Sequence, residues 1–436
     1  MFLLLELYSV SQDFLLKDAR ALVGFTSDEE CVVAETQTSL PKMRMQSAQG
    51  TLQSDASNIS IEIAGATRLA EIESDWADLS ARADACNVFM SPPLLRAAMK
   101  SYPSKHLLVL LAWHASGAGQ QLVGIWAFRV GRLSKSILPV VVLSAPPMPH
   151  AYLSTPVVDL RFLDAVLGAM LTRIAAEASL PNIVALDAMS IEGATMQALS
   201  RVLASRGCAS RHFERFQRPK LVSKLDGKAY FETALSASSR KKLRQHRRRL
   251  SEKGQLHFRI LTSADAVKEA FEGFLHLEAS GWKGRQNTAL LSHASDATFA
   301  RVMIAGLAAR SEAAVYMLTL NERPVSMQII LRAGATAFTW KTAYDEGLHD
   351  FSPGMLLLED YTAALLADDG IAYVDSCASD ENGYMAVWSE RQTVAQLWFD
   401  ARRGHSSSLV ALSWLQMNYL ALRGQIKSIY RKIGKR

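Results

Sequence analysis

Cysteine is scarce in this chain: four residues among 436, at Cys31, Cys86, Cys208 and Cys377. No two stand at the spacing of a metal knuckle or a dithiol redox pair. A disulfide scaffold and a cysteine-based metal module are therefore excluded as organising principles, and a reducing compartment is the plain reading. Long apolar runs are missing too. The most apolar stretches, Leu107–Trp113 and Ile137–Leu143, fall far short of the roughly 20 residues that a membrane-spanning helix needs. Met1–Val10 is apolar but has no basic leader and no clear cleavage site, so it does not read as a signal peptide. Also absent are HExxH, G-x-S-x-G and a Walker-type phosphate loop. Neither metal chemistry nor a hydrolase triad is expected.

What is present is ordinary globular chemistry, with 49% apolar and 21% charged residues, enough for sizeable cores. The length predicts two domains. Residues 1–58 have weak periodicity and many Ser, Gln and Thr, and read as a loose N-terminal extension. The remainder shows one element order twice. In the first half a strand at Ile59–Ile63 precedes helices at Thr67–Arg82 and Pro92–Lys100. Strands follow at Leu107–Trp113, Gln121–Val130 and Ile137–Leu143, then a helix at Arg161–Ala178 and a strand at Ile183–Asp187. In the second half a strand at His257–Leu261 precedes helices at Ala264–Ser280 and Ala297–Arg310. Three strands follow at Ala314–Leu320, Pro324–Arg332 and Ala335–Ala343, then a helix from Gly354 to Ala367 and a strand at Ile371–Asp375. The shared order points to tandem duplication. It divides the chain into a unit at 59–217, a unit at 218–400, and a basic amphipathic tail at 401–436. The fold class expected is α/β (α+β): two tandem domains, each with a mixed, splayed, mainly antiparallel sheet flanked by helices.

Six segments carry a family resemblance: NVFMSPPLL, SSRKKLRQHRRRLSEKG, FLHLEASGWKGRQNTAL, WKTAYDE, FSPGMLLLED and DSCASDENGYMAVW. With the element order, they make residues 76–400 resemble the GCN5-related N-acetyltransferase (GNAT) superfamily. The branch they resemble is BioF2-like, which includes CelD-like proteins named for cellulose biosynthesis. The resemblance implies transfer of an acyl group from a thioester, with acyl-CoA (acetyl-CoA) or an acyl carrier protein as donor. It says little about the acceptor; a small molecule or glycan is expected, and the resemblance supplies only the setting, envelope or exopolysaccharide synthesis. It also implies a sheet that opens between two parallel strands, with the donor's pyrophosphate at the following helix start.

That helix start is FSPGMLL. Ser352 reads as its N-cap and Pro353 suits the first turn; Gly354, Met355 and Leu356 are expected to offer amides to a phosphate. The usual Gln/Arg-x-x-Gly-x-Gly/Ala run of the superfamily is absent. The first half has STPVVDL at the same station, without glycine, so that domain is expected to be degenerate. Glu278 continues the apolar stripe of Val267, Phe271 and Phe274, where a carboxylate is costly unless paired or lining a cavity. It is a candidate general base; the alternative is a frayed, solvated helix end before Gly281. Trp282, Lys283 and Arg285 are expected to wall the site and hold an anionic acceptor. Strand alternation places Lys341 with Asp345 as a pair and leaves Tyr344 to protonate the departing thiolate. Asp375 ends a strand at the expected opening, either facing the cleft or capping, as its first-half counterpart Asp187 suggests.

Charge is unevenly spread. Eight Lys or Arg lie between Arg240 and Lys253, against the single acid Glu252. This is a solvated face or a patch for an acidic partner. A Fem-like transferase taking an aminoacyl group from tRNA is the alternative enzyme, since that type also uses two GNAT-like domains. The patch lacks the interleaved aromatics of a base reader, so nucleic acid is the less favoured partner. From Ala401 onward there are eight Lys or Arg and no acid. That tail, with its leucines, offers a cytoplasmic protein a peripheral contact at an anionic inner-membrane surface. A third alternative is a non-enzymatic accessory protein of a polysaccharide machine that kept the fold and lost the chemistry.

Overall fold

The computed structural model describes residues 58–117, 119–133, 140–378 and 383–433. The expected N-terminal extension, apart from Asn58, and the first residues of the Ile137–Leu143 strand lie outside them. Alternating side chains open the first half as β1 (Ile59–Ala64). Two helices follow, α1 (Ala66–Glu71) and α2 (Glu73–Arg82), where one was expected. The chain bends at Ile72, whose side chain is fully buried in the core. The helix α3 (Pro92–Ser101) has proline in its first turn, where a missing amide is harmless. A meander follows: β2 (Leu107–Ser116), β3 (Gly119–Arg132) and β4 (Val141–Ala145). After a short strand β5 (Val157–Val158) come α4 (Leu163–Ala176), β6 (Ile183–Ser190), α5 (Ala194–Ser205) and β7 (Ser210–Leu221).

The second half opens with α6 (Gly227–Ala234) and α7 (Ala237–Ser251), capped by Asp226 and Ser236 through side-chain bonds to backbone amides. Then come β8 (Leu256–Leu261), α8 (Ala264–Ser280), the single turn α9 (Trp282–Arg285) and α10 (Ala294–Ala308). A second meander follows, β9 (Ala313–Leu320), β10 (Arg323–Ala333) and β11 (Thr336–Tyr344). The half closes with α11 (Pro353–Leu366), β12 (Tyr373–Asp375) and β13 (Glu390–Asp400), and α12 (Ser407–Ile433) follows.

All the strands form one sheet, in the order β1-β2-β3-β4-β6-β13-β7-β12-β11-β10-β9-β8, with β5 off the path against β3. Among the described residues β4/β6 and β11/β12 are the parallel pairs, and the other pairings are antiparallel. This is the expected mixed α/β class, a large and mainly antiparallel open sheet flanked by helices. The two halves exchange their closing strands. β7, from the first half, pairs with β12, while β13, from the second, pairs with β6. The boundary drawn at 217 falls inside β7.

The core follows the exchange. One apolar cluster joins Trp76, Phe89 and Trp126 to Phe271, Phe338 and Trp340. Phe89 meets Phe338 edge-on at 5.6 Å between ring centres. The helices α3 and α10 approach closely at Gly306, where a Cβ would stand 3.0 Å from that of Pro93. A second cluster holds Tyr230, Leu356, Leu357, Tyr361 and Trp388.

Candidate active site

The strands β11 and β12 pair only at Thr336/Tyr373, Ala337/Val374 and Phe338/Asp375. Beyond that point β11 runs on to Tyr344 with no strand paired on that side among the described residues. The other branch turns away through Ser376 and Cys377, the latter in the left-handed region at φ 52°. Thr339 marks the fork, its hydroxyl donating to the Ser376 carbonyl at 2.8 Å. A cavity of about 560 Å³ fills the gap, walled by Glu278, Lys283, Lys341, Tyr344, Cys377 and Tyr384 among others. Across β11 the register steps from Ile329/Lys341 to Ile330/Thr339, so Trp340 is the extra residue of a bulge.

Glu278 is buried, at 2% exposure, on the apolar stripe of α8. The frayed, solvated alternative is thereby set aside. Its Oε1 lies 3.0 Å from Lys283 Nζ and 3.9 Å from Lys341 Nζ, and its Oε2 accepts the Leu290 amide at 2.9 Å. Lys283 also donates to the Thr342 carbonyl at 2.9 Å. Two ammonium groups thus converge on one carboxylate. Burial drives the Lys341 ammonium down to about 8; Glu278 opposes the drop and Lys283 reinforces it.

Five of the residues singled out in the sequence share this cavity: Glu278, Trp282, Lys283, Lys341 and Tyr344. Trp282 sits at the rim, 44% exposed. The others are placed differently. The expected Lys341–Asp345 pair does not form, because β11 ends at Tyr344 and Asp345 turns to cap a 3₁₀ segment. Asp345 accepts the Gly347 amide at 2.9 Å and pairs with Arg323 at 3.2 Å. Arg285 is exposed and does not line the cavity itself; it is paired at 2.6 Å with Glu346, which does. Asp375 does not face the cleft. It is 1% exposed, lies 3.3 Å from Arg218 and takes bonds from the Cys377 amide at 2.7 Å and Gln392 Nε2 at 2.7 Å. This is the capping role, with a buried ion pair added.

The helix start also differs from expectation. Ser352 occupies the N-cap position in the left-handed region, at φ 49°, and its side chain makes no capping bond. The Met355 and Leu356 amides both donate to the Ser352 carbonyl, at 2.9 and 3.1 Å, so neither is free for a phosphate. Gly354 remains, half-buried, with open space up to the Tyr344 ring, whose Cδ1 would lie 3.7 Å from an added Cβ. The helix α7 and the turn after it bring cations to the same corner: Arg249 and Lys253 stand over the Phe351 ring at 5.3 and 5.2 Å.

Sequence reasoning missed what the first half contributes. Its loop after β4 places His150 so that the backbone carbonyl accepts Trp340 Nε1 at 2.7 Å and the imidazole lies 3.2 Å from Asp296. Tyr102 donates to the other Asp296 oxygen at 2.7 Å. Burial works against the Asp296 charge, but the bonds from Tyr102 and His150 outweigh it and hold the carboxyl below its ordinary value. Burial, helped by Lys341, lowers His150. Tyr152, from the same loop, lines the cavity. Among the described residues no three His, Cys, Asp or Glu side chains are grouped to hold a metal ion.

This architecture has relatives. Residues 237–384 match the family described as "Acetyltransferase (GNAT) domain". The second half is thus similar to that family over the matched segment, and the opening between β11 and β12 lies within it. Among solved structures, FemX is 10% identical, with 79% of this chain and 97% of that one covered and a TM-score of 0.51. The C-terminal domain of a provisionally assigned lysylphosphatidylglycerol synthetase from Agrobacterium fabrum is 15% identical, covering 81% and 97%, with a TM-score of 0.47. A tandem GNAT protein from the clavulanic acid biosynthesis pathway is 13% identical, covering 80% and 100%, with a TM-score of 0.41. At these identities the FemX likeness speaks for the fold alone. None of the three is named for cellulose synthesis. No curated protein sequence matches the chain.

Proposed function

We propose that the chain transfers an acyl group, acetyl in the simplest case, from a coenzyme A thioester to an amine or hydroxyl acceptor at the β11/β12 opening. The observation that carries this reading is the fork itself: parallel strands that pair through Phe338 and Asp375 and then part around a cavity holding Lys341, Glu278 and Lys283. The unpartnered edge of β11 can take the amides of a donor arm as an added strand would. The α11 N-terminus, with the Gly354 amide and the nearby Arg249 and Lys253, suits the donor's phosphates. The acceptor nucleophile attacks the thioester carbon; the new C–N or C–O bond forms as the C–S bond breaks. Lys341, lowered to about 8 and so neutral in a minor fraction at neutral pH that grows as pH rises, takes the acceptor's proton in its neutral form, and Tyr344 protonates the leaving thiolate. Glu278 holds Lys341 in place, and the neighbouring Lys283 charge favours its neutral form. Positioning of two bound reactants supplies much of the acceleration.

The exposed cations of α7 suit an acyl carrier protein as an alternative carrier, and equally the aminoacyl-tRNA of a Fem-like transferase. The envelope or exopolysaccharide setting rests on the sequence resemblance. Trp414, Met417 and Leu422 stand exposed on α12, which supports a peripheral membrane contact. No helix among the described residues is long and apolar enough to cross a membrane.

Thermal melting with acetyl-CoA and longer acyl-CoAs tests the donor. At a hundredfold excess over Kd, stabilisation is about 2.7 kcal/mol. Gly354→Glu, which puts a carboxylate where the phosphate would rest, is expected to abolish that shift while leaving the unliganded protein folded. Stabilisation by tRNA that salt suppresses, with none from acyl-CoA, would replace this reading with the aminoacyl one. Unchanged donor affinity in Gly354→Glu would remove the phosphate site.

A further inference from the structure

A larger cavity, of about 840 Å³, lies at the opening between the first half's own parallel pair, β4 and β6, with β13 of the second half adding Ala395 and Gln396 to its wall. Those strands pair through Ala145 and Leu186; Pro146–Tyr152 and Asp187–Ala188 then diverge around the space. By position it repeats the opening already described, but its chemistry is different. Where β11 presents six further strand residues beyond its fork, β4 ends at Ala145. The chain that follows carries Pro146, Pro147 and Pro149 on the cavity wall. Proline has no amide hydrogen, so this edge cannot take a donor arm as an added strand. The cavity is not a second donor site.

Its polar groups point to another kind of ligand. The guanidinium groups of Arg129 and Arg215 line it without an ion pair among the described residues. Two buried oxygens of wall residues, Ser144 Oγ and Gln396 Oε1, have no hydrogen-bond partner among the described residues, and buried polar atoms rarely stay unpaired. Arg218 also lines the cavity but is held by Asp375. The carboxylates of Glu214 and Asp187 face it as well, Asp187 already engaged. A wall that mixes donors with acceptors suits a polyol; the two unpaired guanidiniums suit an anion attached to it. Phe216 and the prolines supply flat apolar surface for a ring. Tyr152 lines both cavities, and His150, on the wall of this one, lies beside Asp296 and under the influence of Lys341.

We propose that this cavity is the acceptor site, and that the acceptor is a sugar bearing a phosphate or carboxylate, whose nucleophile reaches Lys341 past Tyr152. This rests on the acyl-transfer reading of the neighbouring cavity. Titration calorimetry on the full chain with glucosamine 6-phosphate, glucuronate, glucosamine and inorganic phosphate tests it. At least one of the two anionic sugars is expected to bind more tightly than glucosamine or phosphate. Arg129→Gln and Arg215→Gln are each expected to weaken that binding at least tenfold, with unchanged circular dichroism and unchanged acetyl-CoA affinity. Three outcomes overturn the proposal: no anionic sugar binds at millimolar concentration, the variants bind it as the wild type does, or phosphate alone binds equally well. Binding of the sugar without binding of acetyl-CoA would instead sink the donor assignment while leaving this site standing.

Discussion

Replacing Lys341 by Met removes one buried ammonium and keeps an unbranched apolar stem. The side chain is 8% exposed, and burial drives its pKa from 10.5 to about 8. That drop corresponds to about 3 kcal/mol held against the charged form. Below pH 8 the lysine is charged both folded and unfolded, so the whole penalty stands. Between pH 8 and 10.5 the unfolded chain binds more protons than the folded one, so stability rises with pH. Above 10.5 the penalty is gone. The variant has no such dependence. Against the gain stands what Glu278 loses, but Lys341 is the more distant of its two cations, at 3.9 Å, and Lys283 at 3.0 Å remains. We therefore expect Lys341→Met to be more stable than wild type by about 1–2 kcal/mol at pH 7, with most of the difference gone by pH 10. Urea unfolding at the two pH values reads this directly. The same variant is expected to lose about 10²–10⁴ in kcat with donor KM unchanged, and wild-type kcat/KM is expected to rise with pH towards a plateau above about 8. Equal stability at pH 7, or a difference indifferent to pH, would refute the argument that the fold disfavours this ammonium.

Glu278→Gln keeps the shape of the side chain but removes the charge that holds Lys283 and Lys341. Turnover should fall while donor affinity, read by melting, stays put; full activity would show that the carboxylate plays no part in catalysis. Arg218→Ala strands the 1%-exposed Asp375 without its cation and should destabilise by about 3–5 kcal/mol in denaturant titration. A loss below 1 kcal/mol would mean that Gln392 and the Cys377 amide satisfy Asp375 on their own.

Much of the second half could be read from local pattern. The stripe of Val267, Phe271 and Phe274 located α8 to the residue, because a helix packed on a sheet must carry that spacing. The same stripe singled out Glu278, since a carboxylate in an apolar row must be paired or exposed. Local pattern failed wherever partners are distant. Arg218 is 157 residues from Asp375, and His150 is 190 from Trp340, so neither contact leaves a periodic trace. The bulge at Trp340 and the left-handed Ser352 are backbone irregularities. Alternation and capping rules assume regular geometry, and they misplaced Asp345 and the free amides for that reason. The strand exchange was hidden for a similar cause: two copies of one pattern do not say which copy each closing strand will join.

The exchange bears on how such a chain is made. During synthesis the first half is complete in sequence when Leu221 emerges, yet the flank of β6 that β13 will occupy stays bare until residues 390–400 arrive. For that interval an apolar edge with unmet amides and carbonyls is available to any passing strand. Folding of the half that supplies most of the larger cavity's wall must therefore wait on the last strand of the half that holds Lys341, so the ribosome cannot release a finished, independent first domain.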